Sequence, residues 1–409
     1  MNILLAVTGS IAAYKSYDVA RALVKQGHQV RVILTQGAQE FIKENTFRYL
    51  GAQAVYGPLD DFNPKNLNES QNVLHIELVK WAHKLIVAPL SANTLARLNL
   101  GITNDLLSSV FIARGNLPTL LMPAMNTQMW SNEKTKKHVE EISNETTYVV
   151  NPASGLLACG DIGEGKFPEV NAVIELINTL TPGLKTHKKA VITAGATAAP
   201  IDPVRYITNP SSGKMGMAVA KEFLKRGHEV ILLTGHQCTS EVNDLLLHPH
   251  ITIIKSPTTQ IMRNHAVKFF PEADIYISTG AIADIEFDPA TDKIKKETMT
   301  TALHYKQAAD ILKEVLTLKK PHQKVVSFAA ETQTTEEVFR EKMNRKPVDL
   351  MVGNKVSNGL VGSEDVQGFQ TEGGTYFFVT IEKTIGPVPL TKTGVGEKLA
   401  NWFEGSSLC

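Results

Sequence analysis

Several side chains in residues 1–180 have the chemistry to move a proton or to hydrogen-bond an anion, among them His75, Asn126 and Cys159. An imidazole exchanges protons near neutral pH, an amide hydrogen-bonds a carboxylate, and a thiol can give up its proton. Cys159 stands in the glycine-rich run ACGDIGEGK (158–166), whose composition is typical of a mobile lid over a substrate. A lone histidine or cysteine is more often structural, so the neighbouring motifs must decide.

Two strand-to-helix junctions in the same half could bind phosphate. Gly9-Ser10 follows an apolar run, and Ser91 and Thr94 open a helix after Pro89. Backbone N–H groups at a helix N-terminus bind anions well. An ordinary tight turn at Gly9 and an N-cap at Ser91 explain the same residues equally well. The sequence therefore allows both interpretations, phosphate binding and local structure.

The most specific single run of the chain is TAGATAAPIDPVRYITNPSSGKMG (193–216). Gly195 ends a strand there, Asp202-Pro203 form a turn, and Ser211-Ser212-Gly213 lead into a helix near Lys214. A loop of this length inside a compact domain is usually functional. The spacing of a P-loop is absent, so the run predicts a functional, ligand-binding loop that is not a P-loop.

Strands and helices that would position these residues alternate along the chain. The predicted buried strands of the first half are Ile3–Val7, Val30–Leu34, Leu85–Val87 and Thr119–Met122. The helix after the first strand runs through Leu23 and stops at Gly27, and a strand at Ala190–Thr193 restarts the pattern. The alternation predicts an α/β protein with two Rossmann-like three-layer domains.

The basic segment TPGLKTHKK (181–189) separates the two halves. The run FLKRGHEVILLTG (223–235) repeats the pattern of ALVKQGHQVRVILTQG (22–37), which predicts the same helix–strand unit in each half. We therefore predict domains at 1–182 and 189–409 with a linker at 183–188. Near the end, Gly368–Thr384 alternates like an antiparallel hairpin with its turn at Gly373-Gly374.

Composition excludes several classes of protein. The 409 residues are 43% hydrophobic and 20% charged, with a formal net charge of +1. This balance predicts a cytoplasmic globular protein that binds neither nucleic acid nor membranes through its overall charge. The three cysteines, Cys159, Cys238 and Cys409, are too scattered for a disulfide framework or a zinc site, and the sequence identifies no metal ligands.

Six motifs of the first half carry a resemblance to a known family. In chain order they are GSIAAYK, VLHIEL, APLSANT, GITNDLL, PAMNTQMW and ACGDIGEGK. Together they resemble the flavin-containing cysteine decarboxylases, specifically the decarboxylase half of bacterial coenzyme A synthesis. The resemblance implies a flavodoxin-like domain with FMN at a subunit interface of a trimer-based assembly. The residues it implies for FMN are Gly9, Ser10, Thr35, Ser91 and Thr94.

The same resemblance implies roles for the three reactive side chains. A carboxylate on an sp³ carbon has no electron sink until the flavin oxidises the neighbouring thiol to a thioaldehyde. His75 would handle the thiol proton or the carboxylate, Asn126 would orient the carboxylate, and Cys159 would protonate the enethiol. Lys166 stands where many relatives have Arg, so it is not assigned a catalytic role.

The second half resembles the ligase half of the same bacterial fusion, to the end of the chain. Beyond 193–216 the resemblance rests on STGAIADIEFDPATDKIKK (278–296), AADIL (308–312), SFAAET (327–332) and FREKMNRKPVDLMVGNKVS (339–357). It implies a CTP site at Gly280, Ala281, Asp284, Lys293, Ala309, Asp310, Ile311, Leu312, Phe328, Lys342 and Lys346. Lys342 and Lys346 are four apart, which predicts one helix face toward the triphosphate, and Asp284 would contact either Mg²⁺ (or Mn²⁺) or the ribose.

The implied ligase reaction activates a carboxylate. The 4′-phosphopantothenate carboxylate attacks the α-phosphate of CTP, pyrophosphate leaves, and the cysteine amine then displaces CMP from the acyl-cytidylate. Lys293 would neutralise the α-phosphate, Asn209 would stabilise the oxyanion of the second step, and Arg205 would grip the intermediate. Ala199 replaces the Glu, and Ala196 the Pro, that relatives usually carry, which implies a modified site.

The resemblance further implies a homo-oligomer, a dodecamer built from decarboxylase trimers and ligase dimers. Two rival functions are an FMN oxidoreductase and a regulatory flavoprotein with a modified ligase half. The set His75, Asn126 and Cys159 argues against the first, because a simple flavin carrier needs no such groups. Only Ala199 favours the second.

Overall fold

The computed structural model describes residues 1–63, 73–185, 188–295, 302–333, 335–356 and 371–408. The chain divides into two compact units, Met1–Leu184 and Lys185–Cys409. Each unit has its own parallel sheet with helices and hydrophobic clusters around it. The predicted α/β architecture with two Rossmann-like domains is therefore confirmed.

The first unit is built on a six-stranded, all-parallel sheet of order β3-β2-β1-β4-β5-β6. Its strands, with a separate hairpin β7–β8, are β1 Asn2–Val7, β2 Gln29–Leu34, β3 Ala54–Tyr56, β4 Lys84–Leu90, β5 Thr119–Pro123, β6 Thr147–Val149, β7 Ala153–Leu156 and β8 Ile162–Lys166. Its helices are α1 Lys15–Lys25, α2 Gln36–Gln39, α3 Glu44–Tyr49, α4 Leu74–Trp81, α5 Ala92–Asn99, α6 Leu106–Ala113, α7 Thr127–Ser131, α8 Glu133–Ile142 and α9 Val170–Thr179. β1 and β4 are central and almost wholly buried, which explains their uninterrupted apolar sequences.

The second unit has an eight-stranded sheet of order β13-β12-β9-β14-β17-β18-β19-β20. Its strands, with two short ribbons β10–β11 and β15–β16, are β9 Lys189–Ala194, β10 Ala198–Pro200, β11 Tyr206–Thr208, β12 Glu229–Thr234, β13 Ile251–Lys255, β14 Ile275–Ser278, β15 Ile285–Glu286, β16 Lys306–Gln307, β17 Lys324–Glu331, β18 Leu350–Lys355, β19 Gly373–Val379 and β20 Thr384–Thr391. Its helices are α10 Lys214–Lys225, α11 Thr259–Phe269, α12 Ile311–Leu318, α13 Glu336–Arg345 and α14 Lys392–Phe403. Strands β13 to β18 in this order are parallel, and β19 and β20 add an antiparallel edge.

The predicted repeat of one helix–strand unit is confirmed by matching helix ends. α1 and α10 are each followed by a left-handed glycine, Gly27 (φ +83°) and Gly227 (φ +79°). The next N–H turns back to the helix, from His28 to the Leu23 carbonyl at 3.1 Å and from His228 to the Phe223 carbonyl at 3.0 Å. This cap leads the chain directly into a strand parallel to the one before it.

The predicted turn at Gly373-Gly374 is wrong. Both glycines lie inside β19, and the reversal is made by residues 380–383 between β19 and β20. The Thr380 N–H donates to the Lys383 carbonyl at 2.9 Å across that turn. A Cβ on Gly373 would lie 2.9 Å from the Leu390 carbonyl oxygen, so glycine there allows close strand pairing. Residues 368–370 of the predicted hairpin lie outside the described residues.

A buried lysine ties the last helix of the first unit to its sheet. Lys84, at the start of β4, is only 3% exposed. Its ammonium donates to the carbonyls of Ile177 and Leu180, both at 2.7 Å, at the C-terminal end of α9. A cation is favourable at this end of a helix because the unpaired carbonyls carry partial negative charge.

Candidate active sites

The first unit contains a cavity of about 1260 Å³. Its lining includes the segments that directly follow β1, β2, β4 and β5, so it opens at the carboxyl ends of these strands, where the strand order reverses beside β1. Ligands of doubly wound sheets bind at this position. Of the residues predicted for this half, the cavity is lined by Gly9, Ser10, Thr35, Ser91, Thr94, Asn126 and Cys159.

The hydroxyls on this lining cap helices. Ser10 Oγ accepts the Ala12 N–H at 3.3 Å and donates to the Ala124 carbonyl at 3.0 Å. Ser91 Oγ accepts the Thr94 N–H at 3.3 Å. The N-cap reading of the sequence therefore holds, and a hydroxyl oxygen has a second lone pair with which to meet a ligand.

Two backbones approach each other closely at the edge of the cavity. Thr35 caps α2 through the Ala38 N–H at 3.3 Å, and this brings Gly37 against Gly9. A Cβ on Gly9 would lie 3.0 Å from the Gly37 Cα. Side chains are therefore excluded here, and the backbone itself forms the cavity wall.

Asn126 and Cys159 come together, although they lie 33 residues apart in the sequence. The amide Nδ2 of Asn126 lies 3.2 Å from the Cys159 Sγ and 3.1 Å from the Asp161 Oδ2, and the thiol lies 3.3 Å from the same carboxylate oxygen. The amide oxygen accepts the Gln128 N–H at 2.8 Å, which fixes the orientation of the amide. The sequence analysis missed Asp161 because a surface aspartate in a turn is common.

The glycine-rich segment is a hairpin that is partly fixed to the body of the unit. The Met125 N–H donates to the Gly165 carbonyl at 3.0 Å, and a Cβ on Gly165 would lie 2.2 Å from the Met125 carbonyl oxygen. A Cβ on Gly163 would lie 2.6 Å from Thr127 Oγ1. These two glycines permit close packing of β8 in this arrangement, and the prediction that this run acts as a mobile lid stays a prediction.

His75 does not line the cavity of its own chain. It lies in the first turn of α4, where its Nδ1 is 2.8 Å from the Asp61 Oδ2. The Asp61 Oδ1 also accepts the His75 backbone N–H at 3.1 Å. The structure therefore separates His75 from Asn126 and Cys159 and gives it a carboxylate partner that the sequence analysis missed.

Charged side chains of both signs complete the first cavity. Lys166 pairs with Glu169 at 3.3 Å, and Arg97 pairs with Asp105 at 3.0 Å. Lys15 lies 5.8 Å from the ring centre of Phe167. Arg97 and Lys15 were not singled out from the sequence, since neither stands in an unusual pattern.

The second unit contains a cavity of about 610 Å³, again at the carboxyl ends of parallel strands. Of the residues predicted for this half, it is lined by Asn209, Gly280, Ala281, Asp284, Leu312, Phe328, Lys342 and Lys346. The predicted residues outside the described lining are Arg205, Lys293, Ala309, Asp310 and Ile311. Of the predicted motif 309–312, therefore, Leu312 lines the cavity, and Ala309, Asp310 and Ile311 do not.

The two predicted lysines are held by carboxylates. Lys342 pairs with Glu331, and the Lys346 Nζ lies 2.7 Å from the Asp310 Oδ2. Burial opposes ionisation of Asp310 and is the largest single influence, but the hydrogen bonds from Lys346 and from the Lys313 N–H, together with the charges of both lysines, outweigh it, and the pKa of Asp310 falls below its usual value. The prediction that both lysines share a helix face is wrong, because α13 ends at Arg345.

Two further lysines on the lining were not predicted. Lys392 is 6% exposed at the first position of α14, and burial lowers its pKa. Lys214 begins α10 and pairs with Glu372. With Lys342, Arg345 and Lys346, they put five cations on this cavity. Among the lining residues that the structure describes, Asp284 is the one carboxylate.

Asn209 faces backbone carbonyls. Its amide Nδ2 lies 3.4 Å from the Ala281 carbonyl oxygen and 3.3 Å from that of Ile282. These long contacts hold the loop that carries Gly280 and Asp284 against the segment after β11. An amide that also binds an oxyanion must therefore exchange one of these weak bonds for the stronger one.

Arg205 and Asp202 form an ion pair that anchors the segment of Lys293. Both guanidinium and carboxylate reach Ile294: the Arg205 Nη2 donates to its carbonyl at 2.8 Å, and the Asp202 Oδ2 accepts its N–H at 3.2 Å. The hydrogen bond from Arg205 holds the pKa of Asp202 well below its usual range. The geometry therefore places Arg205 as an anchor for its neighbours, whereas the resemblance implied a grip on the intermediate.

Comparison with known proteins adds to this geometry. The family model for flavoproteins matches residues 1–181, and that for the C-terminal domain of DNA/pantothenate metabolism flavoproteins matches residues 185–404. The coenzyme A biosynthesis bifunctional protein CoaBC of Haemophilus influenzae is 36% identical over 375 residues, which cover 90% of each chain. The CoaBC proteins of Bacillus subtilis (88% of this chain, 87% of theirs) and Escherichia coli K12 (91% and 88%) are also 36% identical. The chain belongs to the family of bifunctional coenzyme A biosynthesis proteins.

Membership in this family confirms the resemblance inferred from the sequence for both halves. Ala199, where the resemblance implied a glutamate, is not among the residues that line the second cavity. Ala199 is 1% exposed and packs with Ala283 and Phe287 in a small apolar cluster. The Ala196 N–H donates to the Gln237 carbonyl at 2.9 Å, a bond that a proline at this position could not make.

The part of the chain that the structure describes holds no group of three or more His, Cys, Asp or Glu side chains that could bind a metal ion. Of the helices described, none combines the length and the apolar character needed to cross a bilayer.

Proposed function

We propose that the second cavity joins 4′-phosphopantothenate to cysteine through an acyl-cytidylate made from CTP, and that the first cavity decarboxylates the product to 4′-phosphopantetheine with FMN. The observation that carries this proposal is the contrast in lining between the two units. A thiol and an amide meet in one cavity, and five cations surround the other. The corresponding domain limits are 1–182 for the decarboxylase, 183–188 for the linker and 189–409 for the ligase.

The first cavity suits FMN. Its capping hydroxyls and the bare backbone at Gly9 and Gly37 fit a phosphate and a ribityl chain, and its volume of about 1260 Å³ leaves room for the substrate. Bound FMN supplies the hydride acceptor and donor that this decarboxylation needs. The residues that would hold it are Gly9, Ser10, Thr35, Ser91 and Thr94.

The protein's own side chains would then bind the substrate and move its protons. Asn126 orients the carboxylate through its amide, and the Cys159 thiol, 3.2 Å away, protonates the enethiol. His75 lies outside the cavity of its own chain, so in this proposal it serves the cavity of a neighbouring subunit. That arrangement requires an oligomer, and we propose trimers of the first unit within a dodecamer that also contains ligase dimers.

The second cavity suits a nucleoside triphosphate. Its cations offset the phosphate charge, and the apolar residues Leu312 and Phe328 offer a surface for the base. Asp284 would contact Mg²⁺ or Mn²⁺ bound to the phosphates, or the ribose, since the protein provides no all-protein metal cage among its described residues. Lys293 would act on the α-phosphate and Asn209 on the oxyanion of cysteine transfer.

Purified protein tests the proposal directly. With 4′-phosphopantothenate, cysteine and CTP it should release pyrophosphate and then CO₂, and it should carry non-covalent FMN. ATP should support pyrophosphate release far less well than CTP. A yellow protein that releases neither pyrophosphate nor CO₂ would leave one of the rivals, an FMN oxidoreductase or a regulatory flavoprotein.

The regulatory rival depends on a degraded ligase half, and Ala199 was its support. Ala199 lies in an apolar cluster and does not line the second cavity. The five cations on that lining can offset the charge of a triphosphate. We therefore favour an active ligase, and we propose that it works in the cytoplasm.

A further inference from the structure

We propose that Asp61 is the positioning residue of the decarboxylase site. It holds His75 with a proton on Nδ1, so that Nε2 is the nitrogen that accepts the proton of the substrate thiol. This inference rests on the function proposed above and assigns a residue that the motifs of the family resemblance do not contain. It also chooses between the two roles left open for His75, the thiol proton and the carboxylate.

The contact between the two side chains has the geometry of a fixed pair. The His75 Nδ1 lies 2.8 Å from one carboxylate oxygen of Asp61 and 3.0 Å from the other. The His75 backbone N–H donates to the same carboxylate at 3.1 Å. The Asp61 side chain is 6% exposed and that of His75 is 25% exposed, so the carboxylate is the buried partner.

A carboxylate can only accept hydrogen bonds, and this decides the tautomer. Because Asp61 already receives the backbone N–H, the imidazole meets it with Nδ1–H, and Nε2 keeps its lone pair. When Nε2 takes a proton, the carboxylate stabilises the imidazolium that results. A histidine oriented in this way is prepared to act as a base through one nitrogen.

The loop that carries Asp61 makes hydrogen bonds within itself and to the start of α6. Asp60 Oδ2 accepts the Gly57 N–H at 2.9 Å, and the Pro58 carbonyl accepts the Leu106 N–H at 2.9 Å. Pro58 and Leu59 of the same loop line the first cavity. Asp61 therefore links His75 to a loop that forms part of the cavity wall.

The proton transfer balances within these groups. The S–H bond of the cysteine portion breaks, its electron pair stays on sulfur, and the proton forms an N–H bond at Nε2. The carboxylate keeps its charge and gains no proton. The transfer prepares sulfur for the oxidation whose hydride goes to the flavin, and it consumes nothing else.

Asp61→Asn tests the proposal with a change of one atom. The Asn oxygen can still accept the His75 backbone N–H, but the amide N–H₂ then faces Nδ1 and forces the proton onto Nε2. We expect kcat for decarboxylation to fall about 100-fold or more, with little change in KM, in FMN content or in ligation. Asp61→Glu should recover activity to within about 10-fold of the parent, because it restores an acceptor.

Asp60→Asn is the matched control. It removes the same charge from the same turn, and its oxygen can still accept the Gly57 N–H. We expect decarboxylation within about 2-fold of the parent, because this substitution can keep the Gly57 contact and leaves the carboxylate that faces His75 in place. Equal losses in Asp60→Asn and Asp61→Asn would mean that the loop matters only as structure, and would overturn the proposal.

Two further measurements keep this inference separate from the proposed function. A neutron structure should show a deuteron on His75 Nδ1 in the parent and none there in Asp61→Asn; a bare Nδ1 in the parent would overturn the inference. In single-turnover experiments the first bleaching of the flavin should slow in Asp61→Asn, since it follows thiol deprotonation. Normal bleaching with slow CO₂ release would assign the pair to the carboxylate instead. Full decarboxylation by His75→Gln would contradict the proposed function itself.

Discussion

The two cavities hold their polar groups in opposite ways. In the first unit the hydroxyls are satisfied by backbone groups as helix caps, and the charged lining residues include both signs: Lys15, Glu40, Arg97, Asp105 and Lys166. In the second unit five cations line the cavity, and four of them are paired with carboxylates that lie off the lining. The lining of the first cavity therefore favours a ligand of matching shape, and the lining of the second favours a ligand with negative charge.

This difference has an energetic meaning. A capping hydroxyl already has one partner and can add a ligand contact without losing it. A lysine paired with Glu331 or Asp310 must share or exchange that partner when a phosphate arrives. We therefore expect the second site to depend more on ionic conditions, and the first to depend more on the exact position of a few atoms.

The largest effects should come from separating the two reactions. His75→Asn cannot shuttle a proton near neutral pH and should lower decarboxylation about 10²–10⁴-fold, with ligation intact, so that phosphopantothenoylcysteine accumulates. Lys293→Gln should abolish ligation and leave the decarboxylation of supplied phosphopantothenoylcysteine intact. A mixture of the two variants should restore the overall reaction, measured as CO₂ released from 4′-phosphopantothenate, cysteine and CTP. Loss of both reactions from either folded variant would contradict two separate sites.

The cysteines offer a matched comparison, one from each unit. Cys159 is exposed beside Asn126, whereas burial raises the pKa of Cys238 to about 11. Iodoacetamide near pH 8 should therefore alkylate Cys159 before Cys238, because thiolate is the reacting form, and block decarboxylation while ligation continues. Cys159→Ser should lower decarboxylation about 100-fold, and Cys238→Ser should leave both rates nearly unchanged. Peptide mapping by mass spectrometry checks the order of modification.

A smaller effect is expected at the ion pair that anchors the segment of Lys293. Asp202→Asn weakens the contacts of Arg205 and Ile294 and should lower ligation about 10-fold without affecting decarboxylation. It should also lower the Tm at pH 7. Because the folded pKa of Asp202 is depressed, its contribution to stability is present above about pH 4, the unfolded value, and is lost as pH falls toward the folded pKa.

Thermal unfolding of the parent and of Asp202→Asn at several pH values measures that contribution. The gap between the two Tm values should be largest at neutral pH and should narrow below about pH 4. A gap that stays constant down to pH 2 would show that the carboxylate charge contributes nothing to folding.

The smallest effect concerns salt. Raising the ionic strength from about 0.1 M to about 1 M shortens the screening distance from about 10 Å to about 3 Å. The KM for CTP should rise severalfold, because the cations of the second cavity are screened, and the KM of the decarboxylase should rise less. If both KM values rose by a similar factor, the proposed difference between the two sites, recognition by shape and recognition by charge, would be wrong.

Several residues of the first cavity could be predicted from the sequence, because they directly follow successive strands of a parallel sheet. In a parallel sheet the residues after successive strands meet at one edge, so Gly9, Ser10, Thr35, Ser91 and Asn126 share a cavity as the motifs indicated. Asp61 could not be found in this way, since its contact with His75 depends on the course of an irregular loop.

The errors have physical reasons, and one of them was visible in the sequence. Lys346 precedes Pro347, and a residue before proline is driven out of the α conformation, so α13 ends and Lys346 leaves the helix face of Lys342. The hairpin turn was misplaced because glycine marks close strand contact at Gly373 as readily as it marks a turn. Lys392 was missed because nothing in its local pattern distinguishes it from a lysine at the surface.

The buried Lys84 sets a limit on how the two activities could be separated by dividing the gene. Its ammonium is held by the last carbonyls of α9, at Ile177 and Leu180. A shortened chain that stops before Leu180 would remove at least the Leu180 oxygen from a buried cation, and the sheet would lose part of the support of β4. Any independent decarboxylase derived from this protein must therefore retain α9 and the residue after it. The point of division is fixed by a lysine almost 100 residues upstream.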